Sequence, residues 1–258
     1  MTPLKPRISM LNISLLSCLY RSLSKPPIFS LAILLGFSQP AMPAPTVLVD
    51  ISPSHSLVSM VMGDIGDPEL LISSASSPHD FALRPSDVLK LSKSDLIFYT
   101  SSSLTPWLSK AVQSLAQNTP VVELISAPGT SLLPIRDDHL FSHEEHEDHD
   151  GHDEQSGAAH DPHAWLDPAN AMVWIDHIAL QLASVDSANT AIYQDNAERA
   201  KENIQLLMEN VMRELDGLQN VPYLVFHDSY QYFEARFKLQ PKASISLGDG
   251  TRPRYWPD

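Results

Sequence analysis

Short apolar runs alternate along the chain with longer segments of helical spacing, beginning at Thr46. Runs of this length and composition are typical of buried strands, and the intervening segments place apolar residues at helical intervals. The predicted strands are 47–51, 69–72, 95–99, 121–125, 223–226 and 243–247. The predicted helices are 55–62, 85–92, 106–117, 168–185, 187–218 and 229–237. Strands that alternate with helices predict an α/β fold with a mostly parallel sheet covered on both faces.

The longest predicted helix, 187–218, is expected to brace two parts of the molecule. Ser187 is a suitable N-cap residue, and no helix breaker follows for about 30 residues, which corresponds to roughly 45 Å. Its predicted apolar face repeats at helical spacing and comprises Ile204, Leu207, Met208, Val211 and Leu215.

This pattern divides the chain into four predicted regions. Residues 1–44 contain basic residues, no acid and an apolar run at 28–37, which predicts an export signal, with a retained anchor as the alternative. Lipid attachment at Cys18 is a weaker alternative. An N-terminal α/β lobe at 45–185 and a linking helix at 186–220 follow, and a second α/β lobe begins at 221–258.

Charge narrows the possible partners. The chain carries a formal net charge of -14, which argues against nucleic acid or an anionic membrane surface and fits a cationic partner such as a metal ion. Ten acids and no Lys or Arg lie in the tract 137–161, which has little apolar periodicity. We therefore expect this tract to form a flexible loop.

Histidines recur through the same acidic tract. They are His139, His143, His146, His149, His152 and His160. Neutral imidazoles in a negative, flexible segment can bind zinc or nickel weakly in several registers. A solvated acidic linker is the alternative, but such a linker does not require histidine. We therefore predict accessory metal binding here.

Three further histidines occupy positions where α/β proteins bind ligands. His79 lies in the loop after the second predicted strand, His227 ends a later strand, and His163 precedes a helix. The carboxyl ends of strands line the ligand crevice of open α/β sheets. Any one of these residues could be an ordinary surface or core histidine. Three imidazoles together could hold zinc and leave a fourth position for water or a carboxylate. Whether Asp80 and Asp228 orient the neighbouring rings stays open.

Three segments of the chain resemble a known family. Residues 77–87 (SPHDFALRPSD), 161–168 (DPHAWLDP) and 226–234 (FHDSYQYFE) are similar to motifs of the ZnuA-type zinc-binding proteins, the solute-binding components of zinc ABC importers. The resemblance implies two Rossmann-like (β/α) lobes joined by a long rigid helix, with zinc in the cleft between them. It places the zinc ligands on His79, His163 and His227. It also implies a monomeric periplasmic protein that delivers zinc to a membrane permease.

The third ligand position bears on metal choice. Related manganese-binding proteins carry a carboxylate where His227 stands, and exchange of a hard oxygen for imidazole favours zinc. The similarity covers about residues 47–246 and does not extend to residues 251–258, so we expect an incomplete second lobe. The alternatives are a metal-binding adhesin of the same architecture and, with less support, a zinc hydrolase. No zinc-protease motif such as His-Glu-x-x-His occurs, so we do not expect an enzyme.

Overall fold

Two parallel sheets and six α-helices account for the regular structure of the described residues. The computed structural model describes residues 43–72, 77–79, 81–136 and 160–246, so residues 1–42 of the predicted export signal (1–44) and residues 137–159 of the acidic tract lie outside them. The strands are β1 (Val47–Val49), β2 (Glu69–Leu70), β3 (Leu96–Tyr99), β4 (Val121–Glu123), β5 (Leu224–His227) and β6 (Ala243–Ser246). The helices are α1 (Ser52–Met62), α2 (Pro85–Lys93), α3 (Pro106–Leu115), α4 (Pro168–Val185), α5 (Thr190–Glu214) and α6 (Gln231–Phe237).

The larger sheet has the strand order β2-β1-β3-β4, and all of its pairs are parallel. Side chains alternate between its faces, as a sheet buried on both sides requires. Val49 and Phe98 pack with α1, α4 and α5, whereas Leu48 and Ile97 pack with α2 and α3. The predicted α/β fold with a doubly covered sheet is therefore confirmed. The smaller sheet is the parallel pair β5–β6.

The predicted start of the long helix is wrong. Ser187–Asn189 form a 3₁₀ turn, and α5 begins at Thr190. Asp186 organises this turn instead, because its Oδ2 accepts hydrogen bonds from Asn189 Nδ2 and Tyr193 Oη, each at 2.7 Å. With 25 residues, α5 is about 37 Å long, shorter than expected.

The predicted apolar face of α5 is buried only in part. Tyr193, Ala197, Ala200 and Ile204 enter the core beside α1 and α4, whereas Leu207 is 50% exposed. Helical spacing therefore identified the helix correctly, but it did not show how far along the helix the packing extends. Among the described residues, no helix combines the length and hydropathy needed to cross a membrane.

Strand order reverses between β1 and β3, which is where open α/β sheets form their ligand crevice. A buried carboxyl, Asp50, joins the two strand ends there. Its Oδ2 accepts a hydrogen bond from Thr100 N at 2.7 Å, and its Oδ1 accepts from Ile51 N and Thr100 Oγ1 at 2.8 and 3.0 Å. Burial raises the pKa of Asp50 from 3.8 to about 6, although these hydrogen bonds oppose the rise.

Asp50 should make stability depend on pH. Because its pKa is raised in the folded protein, its contribution is complete below about pH 4 and is lost as the pH rises through about 6. The shift corresponds to about 3 kcal/mol. Urea unfolding from pH 4 to 7.5 should therefore show Asp50→Asn gaining stability relative to wild type by roughly that amount across this window. A difference that stays constant with pH would contradict the prediction.

Candidate metal centre

The three histidines selected from the sequence converge in the folded chain. Each of His79, His163 and His227 offers one ring nitrogen, and these three atoms all lie within 4.8 Å of one another. The ring centroids are 5.1 Å apart for His163 and His227, and 6.0 and 6.2 Å from His79 to His163 and His227. His163 is 6% exposed and the other two are half-buried. Their role as metal ligands remains a prediction.

The spacing of two of these nitrogens suits a tetrahedral ion. The Nε2 atoms of His163 and His227 are 3.3 Å apart. In a tetrahedral zinc site with Zn–N distances of about 2.0–2.1 Å, ligand nitrogens are separated by about 3.3–3.4 Å. The pair is therefore spaced to share one small cation.

The loop that carries His79 is held against α3. Trp107 of α3 donates a hydrogen bond from Nε1 to the carbonyl of Pro78 at 2.8 Å. Phe81 packs on the Trp107 ring with centroids 5.2 Å apart. These contacts on either side of His79 fix the course of its backbone.

His163 is oriented by Asp161, which our sequence analysis did not identify. Asp161 Oδ1 lies 2.7 Å from His163 Nδ1 and also accepts a hydrogen bond from the His163 backbone N at 2.9 Å. A carboxylate only accepts hydrogen bonds, so Nδ1 must carry the proton, and the lone pair of Nε2 faces the cluster. The sequence contained the signal, because an Asp two residues before a His can form such a side-chain turn.

His227 ends β5, and the next residue faces a cation. Asp228 Oδ1 is 3.1 Å from Arg136 Nη1, and Arg136 Nη2 is 2.6 Å from Glu234 Oε2. Burial raises the pKa of Asp228, whereas Arg136 opposes the rise. Asp228 therefore forms an ion pair with Arg136, a partner that the sequence did not indicate. Asp80 lies outside the described residues.

The accessory histidines can be compared with the cluster at one position only. His160 is exposed, forms an isolated bridge with Pro134 and is not part of the three-histidine group. His139, His143, His146, His149 and His152 lie outside the described residues, so weak binding there remains a prediction.

Replacement of Asp161 by Asn should disturb the tautomer of His163. In wild type, ¹⁵N spectra of the metal-free protein should show the His163 ring with a protonated Nδ1, and Asp161→Asn should give a mixture of tautomers for this ring. Zinc affinity should fall about 10–100-fold, as for other partners that orient a ligand. The matched control is Asp167→Asn, because Asp167 is equally buried but binds Ala169 N and Arg236. Equal affinities for the two variants would argue against an orienting role for Asp161.

Comparison with known proteins agrees with the resemblance noted above. The family described as "Zinc-uptake complex component A periplasmic" matches residues 47–254. The high-affinity zinc uptake system protein ZnuA of Paracoccus denitrificans is 36% identical over 247 residues, which cover 87% of this chain and 74% of that protein.

Solved structures share the fold. AdcAII of Streptococcus pneumoniae has a TM-score of 0.64 at 24% identity, with 81% of this chain and 71% of that chain covered. Zn(II)-bound AdcA of the same species has a TM-score of 0.61 at 20% identity, with 79% and 39% covered. These likenesses agree with the predicted α/β fold class. From the match over residues 47–254, the chain belongs to the family of periplasmic components A of zinc-uptake complexes.

Proposed function

We propose that this chain captures Zn(II) outside the inner membrane and delivers it to the permease of an ABC importer. The observation that carries the proposal is the convergence of His79, His163 and His227 within 4.8 Å, in a chain that belongs to a zinc-uptake family. Imidazole nitrogens are good zinc ligands, and three of them leave a fourth position for water or a carboxylate.

Selectivity follows from the donor set. An all-nitrogen set of three imidazoles favours zinc over manganese, which prefers oxygen ligands. The relatives named as zinc uptake proteins support the same ion. Neutral imidazole is required for binding, so zinc should be released as the solution becomes acidic.

Two further parts of the proposal concern residues outside the described ranges. Residues 1–44 act as an export signal that directs a monomeric protein to the periplasm. The acidic tract binds additional zinc weakly and keeps it near the tight site. The composition of these segments supports the export signal and the weak metal binding.

Removal of any one of the three histidines should abolish tight zinc binding. Titration calorimetry of the metal-free chain should give one tight site and several weak ones. His79→Ala, His163→Ala and His227→Ala should each weaken the tight site by more than the ~100-fold expected for a lost outer partner.

Two controls locate the effect. His160→Ala, or deletion of residues 139–160, should remove only weak binding, because His160 lies outside the cluster. Loss of the tight site in the deletion variant would mean that the ligands are assigned wrongly. Ester or peptide hydrolysis by wild type that disappears in His163→Ala would instead favour a zinc hydrolase.

A further inference from the structure

Polar contacts of Arg136, Tyr232 and Arg236 attach β5 and α6 to earlier segments of the described chain. Arg136 binds Asp228 and Glu234, as described above. Tyr232 donates a hydrogen bond to the carbonyl of Asp161 at 2.9 Å and accepts one from Leu133 N at 3.0 Å. Arg236 binds Asp167 through Nε and Nη2 at 2.7 and 2.6 Å. These contacts join residues 69 to 99 positions apart in sequence.

Arg136 differs from Tyr232 and Arg236 because it binds the residue next to a candidate ligand, Asp228 beside His227. The guanidinium of Arg136 binds both Asp228, which follows His227, and Glu234 on α6, and it therefore holds the end of β5 next to that helix. The side chains of Asp228 and Glu234 are 7% and 3% exposed, and that of Arg136 is 21% exposed. The planar guanidinium suits such a two-sided contact, whereas a lysine ammonium is a point charge.

Tyr223 extends the same network. Its hydroxyl donates a hydrogen bond to Glu234 Oε1 at 3.2 Å, while Glu234 Oε2 binds Arg136. Both carboxylate oxygens of Glu234 are therefore engaged, one by a residue that precedes β5 and one by Arg136. Since His227 ends β5, this network fixes the backbone on both sides of the strand.

We propose that Arg136 is a positioning residue for zinc binding, which holds His227 at the distance from His163 that a shared ion requires. This inference rests on the proposed three-histidine zinc site. Arg136 binds Asp228, the residue that follows His227, so it acts through the backbone that joins these two residues.

Positioning and simple charge predict opposite signs for the loss of Arg136. Its removal leaves the Asp228 and Glu234 carboxylates without a cation, so the potential near the cluster becomes more negative. If only charge mattered, Zn(II) would then bind more tightly. If Arg136 positions His227, the metal should bind less tightly, because small displacements of a ligand weaken a preorganised site.

The test compares Arg136→Gln with Arg236→Gln in the full chain. Both variants lose one positive charge. Arg136 forms ion pairs with Asp228 and Glu234, whereas Arg236 pairs with Asp167, at the start of α4, rather than with the residue next to His227. Zinc affinity should fall by about tenfold or more in Arg136→Gln and by clearly less in Arg236→Gln. Urea unfolding of both variants corrects for any difference in stability.

A spectroscopic readout separates positioning from general destabilisation. Co(II) bound to the wild-type site should give the visible absorption of a tetrahedral ion. In Arg136→Gln at saturating Co(II), the intensity and position of these bands should change, and in Arg236→Gln they should not. In the Asp228→Asn background the effect of Arg136→Gln should shrink, because one of its two carboxylate partners is already altered.

Unchanged or tighter zinc binding by Arg136→Gln, with a wild-type Co(II) spectrum, would overturn the inference while leaving the zinc site intact. Wild-type affinity in His227→Ala would overturn the proposed ligand set itself. The two failures are therefore distinguishable, because the first involves only the arginine variant and the second only the histidine variant.

Discussion

The hydroxyl of Tyr232 links helix α6, which follows the strand that ends in His227, to the segments around Leu133 and Asp161. It binds the carbonyl of Asp161 and the backbone N of Leu133, and Tyr232 is only 2% exposed. Asp161 in turn orients His163 through its side chain. Because α6, which carries Tyr232, follows β5 in sequence, this buried contact brings the strand that ends in His227 to the turn that holds His163. Loss of such a contact would leave buried polar groups unsatisfied.

The cluster is therefore assembled from segments that have little local reason to meet. His79 depends on the Trp107 contact with its loop, His163 on a turn that is local in sequence, and His227 on ion pairs across more than ninety residues. For His163, a residue only two positions away binds the ring nitrogen that faces away from the cluster. The affinity of the site must then include the free energy of holding β5 and α6 in place, in addition to the metal–nitrogen bonds.

The sequence predicted the fold class and the histidines that converge, because both depend on local patterns. Apolar runs identified the strands, Pro85 and Pro168 correctly marked helix starts, and the ends of strands drew attention to His79 and His227. The start of α5 was missed because Ser187 has the chemistry of an N-cap, but Asp186 captures Asn189 and Tyr193 and forms a 3₁₀ turn first. Local propensity could not reveal that competition.

The contacts that position the ligands also differ in whether they could be predicted, because some are local in sequence and others join distant residues. Asp161 could have been inferred, since its carboxylate serves a residue two positions along the chain. Arg136 could not, because its partners Asp228 and Glu234 lie 92 and 98 residues away, and nothing near Arg136 distinguishes it from a surface arginine. A single sequence, considered without an alignment, indicates the chemistry of its side chains, but it does not indicate which distant charged residues become neighbours in the fold.

A site held by long-range contacts has a consequence for release. A zinc carrier must bind its ion tightly and then give it up, and a permease can promote release only by favouring a conformation that binds zinc less well. Imidazoles fixed on one rigid element would offer no such conformation. In this chain, His227 ends a strand of the smaller sheet, and the contacts that hold it include the Arg136 ion pairs with Asp228 and Glu234. Because the two Nε2 atoms lie only 3.3 Å apart, a small displacement of that strand would separate His227 from His163, so the contacts that assemble the site are also the ones through which release could be controlled.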